Sequence, residues 1–226
     1  MDPLQARNLQ KRFGPVVALD GVDLAFEPGG LYCLAGPNGS GKTTFLQLVA
    51  GLTRPTDGDL QVPDVTVGYA FQQPRIYPDL TVAQNLEVFT DLLDADPAWG
   101  NRLIDALRLR PALHRRGRAL SDGFGKKLDL ALGLLAEPQV LLLDEPLADL
   151  DEASERQLLS LLESYADGDR VVIVSTHNIA PFGAHVDRLT ILLDGRVVRD
   201  RPTPDLDGAG VRRLYLDAIR APDGGA

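Results

Sequence analysis

The segment GPNGSGKT at residues 36–43 constrains this chain of 226 residues more than any other feature. It matches the pattern G-x-x-x-x-G-K-[S/T] without a gap, follows the apolar run LYCLAG at 31–36, and precedes a predicted helix at 43–51. Its glycines allow the backbone to curl so that successive N–H groups converge on phosphate oxygens, and the helix N-terminus adds its positive end. The sequence therefore predicts a phosphate-binding loop between a buried strand and a helix.

Each residue type in this glycine loop suits a nucleotide phosphate. Lys42 supplies a point charge for the β- and γ-phosphates, and Thr43 supplies a hydroxyl ligand for Mg²⁺. Lys42 also stands out by composition, because only four of the 23 Lys and Arg residues are Lys, at positions 11, 42, 126 and 127. The predicted nucleotide-binding residues are Gly36, Pro37, Asn38, Gly39, Ser40, Gly41, Lys42, Thr43 and Thr44.

A pair of acids ends the apolar segment VLLLDEP at residues 140–146. Asp144 is the carboxylate expected on the Mg²⁺ side of a P-loop NTPase. Because side chains alternate along a strand, Asp144 and Glu145 point in different directions. One acid can therefore serve the metal while the other faces an attacking water.

The histidines and the single cysteine give three further expectations. His177 follows the apolar strand at 170–176 and is expected to line the ligand crevice, because strand ends next to a phosphate loop do so. His114 and His185 lie in polar surroundings and are assigned no role. Cys33 lies in an apolar run and is expected to be a buried thiol, and one cysteine excludes an internal disulfide framework and a cysteine zinc cluster.

The order of apolar patterns predicts an α/β fold. We expect a P-loop NTPase core with a mainly parallel sheet, an N-terminal antiparallel β subdomain and an inserted helical subdomain at about 80–138. The whole chain, 1–226, is expected to be one domain with a disordered tail from about 221. Predicted strands are 5–13, 22–27, 31–36, 60–62, 65–71, 140–144, 170–176 and a hairpin within 189–198, a turn is predicted at 56–60, and predicted helices are 43–51, 82–94, 99–109 and 124–136.

Composition and charge limit the partners and the cellular location that we expect for the chain. Hydrophobic residues make up 44% and charged residues 24%, both ordinary for a globular protein, and the net charge of −9 argues against nucleic acid as a partner. The N-terminus MDPLQARNLQ does not resemble a secretory signal, and no apolar run approaches the ~18 residues of a membrane span. We therefore expect a cytoplasmic protein that contacts a membrane only through a partner.

The motif order narrows the class of P-loop protein. No lysine follows an asparagine, so the Asn-Lys-x-Asp guanine reader of GTPases is missing, and a small-molecule kinase leaves the acid pair and His177 unexplained. From about residue 4 to 200 the chain resembles the ATP-binding-cassette (ABC) ATPase family. The residues that carry the resemblance are Phe13 for the adenine-stacking aromatic, Gln72 for the Q-loop glutamine, Ser121 and Gly123 for the Leu-Ser-Gly-Gly-Gln signature, Asp149 and Asp151 in the D-loop-like LADLD, and His177 for the switch histidine.

This resemblance implies that two cassettes dock head to tail around two ATP molecules. Lys42, Thr43, Gln72 and Asp144 would hold phosphates and Mg²⁺, Glu145 would activate water, and His177 would contact the γ-phosphate. Ser121, Asp122 and Gly123 would reach the partner's ATP. A separate integral membrane permease would engage the region near Gln72 and the helical subdomain, so the protein would be peripheral at the inner face of the cell membrane.

The sequence argues against two kinds of ABC protein. Fewer than 80 residues separate Thr43 from Ser121, which leaves no room for the coiled coil of DNA-repair members. A translation-type ABC protein carries two cassettes in one chain, whereas this chain has one. It is most similar to the short subunits of exporters, and YPDLTVAQNL resembles those of drug, lipid and polysaccharide exporters. A soluble ABC ATPase of an assembly complex, of the iron–sulfur scaffold type, is the non-transport alternative. A homodimer is favoured over a heterodimer because the chain's own P-loop set is complete.

The signature segment departs from the family pattern. Asp122 replaces a glycine, Phe124 and Lys127 replace the usual Gln and Arg, and Leu147 and Asp149 alter the approach to the D-loop. An acid there would repel the partner's phosphates but favour the N-terminus of its own helix. We therefore expect normal ATP binding within one subunit and a weakened closed dimer.

Overall fold

The computed structural model describes residues 1–220 and divides them into two compact units. The first unit combines residues 1–64 with the described residues from 166 onward, and the second spans residues 65–165. The predicted disordered tail at 221–226 lies outside the described residues, and the organisation of 1–226 as one domain stays a prediction.

The secondary structure alternates strands and helices along most of the chain. Within residues 1–220 the strands are β1 (Leu4–Phe13), β2 (Val16–Phe26), β3 (Gly30–Ala35), β4 (Asp57–Gln61), β5 (Val67–Ala70), β6 (Val140–Asp144), β7 (Val171–Thr176), β8 (Arg188–Leu193) and β9 (Arg196–Pro202). The α-helices of the same range are α1 (Lys42–Val49), α2 (Val82–Leu93), α3 (Pro97–Ala106), α4 (Asp122–Leu134), α5 (Glu152–Ala166) and α6 (Gly208–Arg220).

Strand pairing confirms the predicted α/β fold. In the first unit β2, β1 and β4 form an antiparallel sheet, while β3 lies between β7 and β8 and runs parallel to both. β9 pairs antiparallel with β8, and in the second unit β5 pairs in parallel with β6. The chain thus has the mainly parallel strands, the N-terminal antiparallel strands and the inserted helices of a P-loop NTPase of this kind.

Burial explains why the two kinds of strand differ in sequence. All residues of β3, β6 and β7 are buried, and their sequences are almost unbroken runs of apolar residues, as expected for strands covered on both faces. Strands β1 and β2 instead mix buried and exposed positions. Polar side chains are therefore tolerated within the N-terminal strands but are confined to the ends of β6 and β7.

A hairpin turn is hydrogen-bonded to the main chain of the glycine loop. Asp194 and Gly195 join β8 to β9 with φ values of 48° and 78°, as a two-residue turn with both residues in the left-handed region requires. The Gly195 N–H donates to the Ser40 carbonyl over 3.1 Å, and a Cβ at Gly195 would come within 2.9 Å of the Ala18 carbonyl oxygen. The predicted hairpin is thus confirmed, and its turn fixes the main chain of the loop.

The N-terminal strands differ from their predictions in extent. The predicted turn at 56–60 is wrong, because residues from Asp57 onward form β4 and pair with β1. Acidic side chains at Asp57 and Asp59 suggested a turn, but both are exposed on the strand. β2 begins at Val16 rather than at residue 22, because residues 16–20 pair with the second half of β1.

Two helices have no counterpart among the predictions. α5 begins where Asp151 accepts hydrogen bonds from the N–H and hydroxyl of Ser154 at 2.9 and 3.1 Å, and it buries Leu158 and Leu162 one turn apart. The helical spacing of these leucines was a usable signal. α6 places Val211, Leu214, Tyr215 and Ala218 at helical spacing, with Val211 and Ala218 buried, so its sequence also carried a usable signal.

Candidate nucleotide-binding site

The glycine loop leaves β3 and enters α1 through two left-handed glycines. Gly39 and Gly41 have φ values of 82° and 106°, which other residues rarely adopt. A Cβ at Gly41 would lie 2.5 Å from the Ala18 carbonyl oxygen, whereas a Cβ at Gly39 would meet nothing within 4 Å. Gly41 is therefore required by both conformation and space, while Gly39 is required by conformation alone.

Lys42 lies across the loop that it follows. Its side chain is 6% exposed, and Nζ donates hydrogen bonds to the carbonyl oxygens of Gly36 at 2.8 Å and Pro37 at 3.1 Å. Thr43 and Thr44 follow in the first turn of α1 and are half-buried. The ammonium group, two hydroxyls and the N–H groups at the start of a helix are thus gathered in one short segment, which suits an anionic phosphate chain.

Ser40 adds a polar atom without a partner. Its hydroxyl is buried and, among the described residues, has no hydrogen-bond partner. A buried hydroxyl without a partner is costly, and such groups call for an explanation. A phosphate oxygen bound in this loop would supply one, so the loop fits the triphosphate group that the sequence predicts.

His177 lies next to the beginning of the glycine loop. β3 and β7 pair in parallel with Ala35 opposite Thr176, and the Gly36 N–H donates to the Thr176 carbonyl over 3.1 Å. His177 is the next residue and is exposed. The Tyr215 hydroxyl of α6 donates to the His177 carbonyl over 3.4 Å. The sequence prediction that His177 lines the crevice is therefore consistent with the strand pairing.

Phe13 ends β1 with its ring largely open to solvent. The side chain is 49% exposed, and Lys11 Nζ lies 4.8 Å from the ring centroid. An exposed aromatic face can stack on a nucleobase.

The second unit carries the predicted acid pair. Asp144 ends β6 and is 1% exposed, and the Tyr69 hydroxyl donates to its Oδ2 over 3.5 Å. Burial, together with the neighbouring Asp144 carboxylate, raises the pKa of Tyr69. Glu145 is buried and has a φ of 50°, a left-handed conformation that is uncommon outside glycine. Such backbone conformations cluster at functional sites.

The chemistry of these oxygen donors suits Mg²⁺. Within residues 1–220 no group of three or more His, Cys, Asp and Glu side chains forms a ready-made metal site. Mg²⁺ is commonly bound by one or two protein oxygens together with substrate phosphates rather than by an all-protein cage. The Thr43 hydroxyl in the first unit and the Asp144 carboxylate in the second are each an oxygen donor of this kind, so the chemistry of each residue fits the ion.

Gln72 lies on a loop whose main chain is held by two buried charged residues of α4. Gln72 itself is exposed. Lys126 Nζ donates to the carbonyl oxygens of Phe71, Gln72 and Asp144 at 2.6, 3.3 and 2.9 Å. Asp129 accepts from the N–H groups of Phe71 and Arg75 at 2.6 and 2.7 Å. Sequence reasoning missed Lys126 and Asp129, although a lysine is rare in this chain and an acid within an apolar helix is unusual.

Burial shifts the pKa of both α4 residues toward the neutral form. Burial lowers the pKa of Lys126, against the opposing influence of the Asp129 and Asp144 carboxylates. Burial likewise raises the pKa of Asp129, although the hydrogen bonds that it accepts from two main-chain N–H groups act to lower that pKa. The hydrogen bonds thus offset part of the cost of placing two charges in the interior.

The signature-like segment forms the N-terminus of α4. Ser121 is the N-cap residue, is exposed and makes no side-chain capping bond, and Asp122 is exposed in the first turn. A Cβ at Gly123 would lie 2.8 Å from the Asp149 carbonyl oxygen. Phe124 packs beside two cations, with Lys127 Nζ 5.4 Å and Arg115 Cζ 5.9 Å from the ring centroid.

The D-loop-like residues lie beside the N-terminus of α4 in the second unit. Asp149 has a φ of 64°, Leu147 is buried, and Asp151 caps α5 through Ser154. A hollow of about 420 Å³ brings the two regions together and is lined by Ser121, Asp122, Gly123, Phe124, Lys127, Asp149, Leu150 and Asp151. The structure therefore gathers the predicted residues into two sets, the loop with His177 in the first unit and Gln72, the acid pair and the signature in the second.

Comparison with known proteins decides the family. The family model described as "ABC transporter" matches residues 19–148, which is more than half of the chain. The chain belongs to the ABC transporter family. The relatives that it matches are named as ATP-binding proteins of import systems, and it spans less than two thirds of the length of some of them.

Two relatives illustrate the similarity of this ABC subunit. It is 35% identical to the molybdenum import ATP-binding protein ModC of Mesorhizobium japonicum, over 91% of this chain and 60% of that protein. It is 34% identical to the aliphatic sulfonates import ATP-binding protein SsuB 2 of Pseudomonas savastanoi pv. phaseolicola, over 88% of this chain and 74% of that protein. Both names describe importers, so they give no support to the resemblance to exporter subunits.

Solved structures share the fold of this ABC subunit. One described as the ATP-binding subunit of an ABC transporter has a TM-score of 0.86 at 24% identity, over 96% of this chain and 100% of that one. Another, described as a dimeric bacterial ABC transporter cassette, has a TM-score of 0.80 at 24% identity, over 88% of this chain and 98% of that one. At these identities the likeness concerns the fold alone.

None of the helices within residues 1–220 combines the length and the apolar character needed to cross a membrane.

Proposed function

We propose that this ABC subunit binds ATP and Mg²⁺ at the glycine loop and hydrolyses ATP to drive a separate membrane permease. The observation that carries the proposal is the glycine loop itself, in which the Lys42 ammonium, the first turn of α1 and the partnerless Ser40 hydroxyl lie together. A neutral ligand would not use this arrangement, because a buried cation and a helix N-terminus both favour negative charge.

Binding within one subunit is proposed to use the residues that resemble the family's motifs. Lys42 and the loop N–H groups hold the β- and γ-phosphates, and the Phe13 ring stacks on adenine. Thr43, Asp144 and Gln72 would hold Mg²⁺, which would neutralise charge on the phosphates. A phenylalanine face stacks on any purine, so the stacking contact by itself selects for a base rather than for ATP over GTP.

Hydrolysis requires a base for the attacking water. Glu145 accepts a proton as the water oxygen bonds to the γ-phosphorus, and the bond from that phosphorus to the β–γ bridging oxygen breaks to leave ADP and phosphate. His177 donates a hydrogen bond to the γ-phosphate and stabilises the charge that builds up there. The exposed side chain of Gln72 contacts the same γ-phosphate.

The signature acts on a second subunit. Ser121 is exposed, makes no capping bond and lies at the N-terminus of α4, as a group that contacts a partner's phosphate must. We propose a head-to-tail homodimer with Ser121 and Gly123 on the partner's ATP and Asp149 near the dimer interface. Asp151 is engaged as the cap of α5, so its contribution there is structural.

A transport role is favoured over service to an assembly complex. The relatives described above carry the names of import proteins for molybdenum and sulfonates, two unrelated cargoes. The ATP-binding subunit is therefore proposed to be cytoplasmic and bound at the inner face of the membrane, with the cargo chosen by the permease. Co-purification with an integral membrane protein supports transport, whereas a stable partner without membrane spans supports the assembly alternative.

Two substitutions test the proposal. Glu145→Gln should lower kcat for ATP hydrolysis by about 10³-fold, retain ATP binding and trap an ATP-bound dimer measurable by native mass spectrometry.

Lys42→Ala should weaken ATP binding by about 10- to 100-fold, because a charged hydrogen-bond donor is lost. Glu152→Gln, at an exposed position paired with Arg156, is the matched control and should leave both unchanged. Unaltered hydrolysis by Glu145→Gln would overturn the assignment of the base.

A further inference from the structure

α4 carries an unusual pair of buried charged residues. Lys126 and Asp129 are each 2% exposed, and they lie three residues apart on one face of the helix. The three hydrogen bonds of Lys126 go to main-chain carbonyls, and both carboxylate oxygens of Asp129 accept main-chain N–H groups. Burying charges costs free energy, and apolar side chains would fill the same space without that cost. Packing alone therefore does not explain this pair.

The partners of these charges are all main-chain groups of proposed functional segments. Asp129 holds the N–H groups at both ends of the loop 71–75, and Lys126 holds the carbonyls of Phe71 and Gln72. The loop is therefore fixed through its backbone while the Gln72 side chain stays exposed. An anchor of this kind sets where Gln72 points without occupying its side chain.

The same ammonium also reaches the acid pair. Lys126 Nζ donates to the Asp144 carbonyl oxygen over 2.9 Å, and that carbonyl belongs to the peptide unit that leads into Glu145. One side chain thus joins the backbone that carries Gln72 to the backbone that carries Glu145. Both segments are in turn tied to α4, whose N-terminus carries Ser121.

We infer that Lys126 and Asp129 are positioning residues, which fix the Gln72 loop and the Asp144–Glu145 peptide relative to the signature helix and thereby set the rate of hydrolysis. The inference rests on the proposed function, in which Gln72 and Glu145 act on ATP. It adds residues whose hydrogen bonds go to main-chain groups of the site and not to its side chains. Because the phosphates are held chiefly by the glycine loop, loss of the anchor should lower kcat and leave the KM for ATP nearly unchanged.

The test uses two variants of the full chain and one control. Lys126→Met keeps the length of the side chain but removes all three donors. Asp129→Asn is almost isosteric, yet its NH₂ group must face one of the two N–H groups that donate to the carboxylate. Two donors then oppose each other and one hydrogen bond is lost. Asn85→Ala is the control, because Asn85 is buried and binds the main chain of the neighbouring loop at Tyr77, Leu80 and Thr81 rather than that of the Gln72 loop.

The expected result has two parts. Each anchor variant should lower kcat by about 10- to 100-fold, the range for catalytic groups displaced by about 1 Å, with the KM for ATP within about threefold of wild type. Hydrogen exchange should accelerate at the amides of Phe71 and Arg75. Asn85→Ala should accelerate exchange at Tyr77 and leave kcat unchanged. Fluorescence of the single tryptophan, Trp99, whose Nε1 donates to the Leu134 carbonyl at the end of α4 over 2.8 Å, reports whether the helix is intact.

Several outcomes would overturn the inference. One is faster exchange at Phe71 and Arg75 with kcat within about twofold of wild type, and another is an equal loss of kcat in Asn85→Ala. If Lys126→Met does not fold, Asp129→Asn decides between support and rejection by the same measurements. Failure of the proposed function is distinguishable, because wild-type protein would then lack hydrolysis or Glu145→Gln would retain it.

Discussion

The glycine loop at residues 36–43 and the segment LSDGFGKK at 120–127 both lead into the N-terminus of a helix, α1 in the first case and α4 in the second. The glycine loop matches its family pattern at every position. The second segment keeps Ser121 and Gly123 but carries Asp122 and Phe124. Both are proposed to bind phosphate, so phosphate binding alone does not explain the difference.

Local crowding accounts for part of the difference. A Cβ at Gly41 would meet the Ala18 carbonyl oxygen at 2.5 Å, and a Cβ at Gly123 would meet the Asp149 carbonyl oxygen at 2.8 Å. Asp122 is exposed in the first turn of α4, where a side chain has room. Gly41 and Gly123 are therefore present where a side chain would strike another backbone, and Asp122 stands where there is space.

Gly41→Ala should produce the largest effect in this comparison. The added methyl group meets a backbone carbonyl, and the φ of 106° is strained for alanine. We expect the free energy of unfolding to fall by about 3 kcal/mol, measured by urea titration, and ATP binding to be lost with it. Gly39→Ala shares the positive φ but has open space, so it should cost only about 1 kcal/mol. Equal costs at the two positions would show that crowding is not the deciding factor.

The sequence predicted the glycine loop and the acid pair because each is contiguous. Residues 36–43 and 140–146 carry their own strand, turn and polar residues, so local rules were sufficient. The hairpin at Asp194-Gly195 was predictable for the same reason, since its turn residues adopt the left-handed region with little penalty.

The anchor of the Gln72 loop could not be predicted in this way. Lys126 and Asp129 bind partners 54 to 58 residues away along the chain, and nothing near them in sequence marks those partners. An acid in an apolar helix pattern is normally interpreted as an exposed position. α6 differs from this anchor, because Val211, Leu214, Tyr215 and Ala218 recur at helical spacing and local rules were sufficient to predict it.

Asp122→Gly should have the next largest effect, on the rate of hydrolysis. At roughly 8 Å from a partner's γ-phosphate and an effective dielectric of about 20, the carboxylate repels each unit charge by ~2 kcal/mol before screening by water and salt. Steady-state ATPase activity should therefore rise, by up to about tenfold. The loss of an acid from the first turn of α4 should lower stability by about 0.5 kcal/mol.

Asp122→Asn separates charge from shape at the same position. It removes the carboxylate but keeps a side chain of the same size, so most of the rise should persist if charge is the cause. High salt should narrow the difference between wild type and both variants, because exposed charges are screened. No change, or a fall, in ATPase activity of Asp122→Gly would contradict a weakened closed dimer.

Asp151→Ala should have the smallest effect and should act on stability rather than on ATP. Asp151 accepts from the N–H and hydroxyl of Ser154, and these hydrogen bonds hold the pKa of the Asp151 carboxyl below its ordinary value. A lowered pKa in the folded state means that the stabilisation is complete above the ordinary value and is lost as the pH falls through the folded value. Thermal unfolding at pH 7 should therefore show a Tm lower by a few degrees in Asp151→Ala, and this difference should shrink in acid. A Tm difference that is the same at both pH values would instead assign the effect to packing.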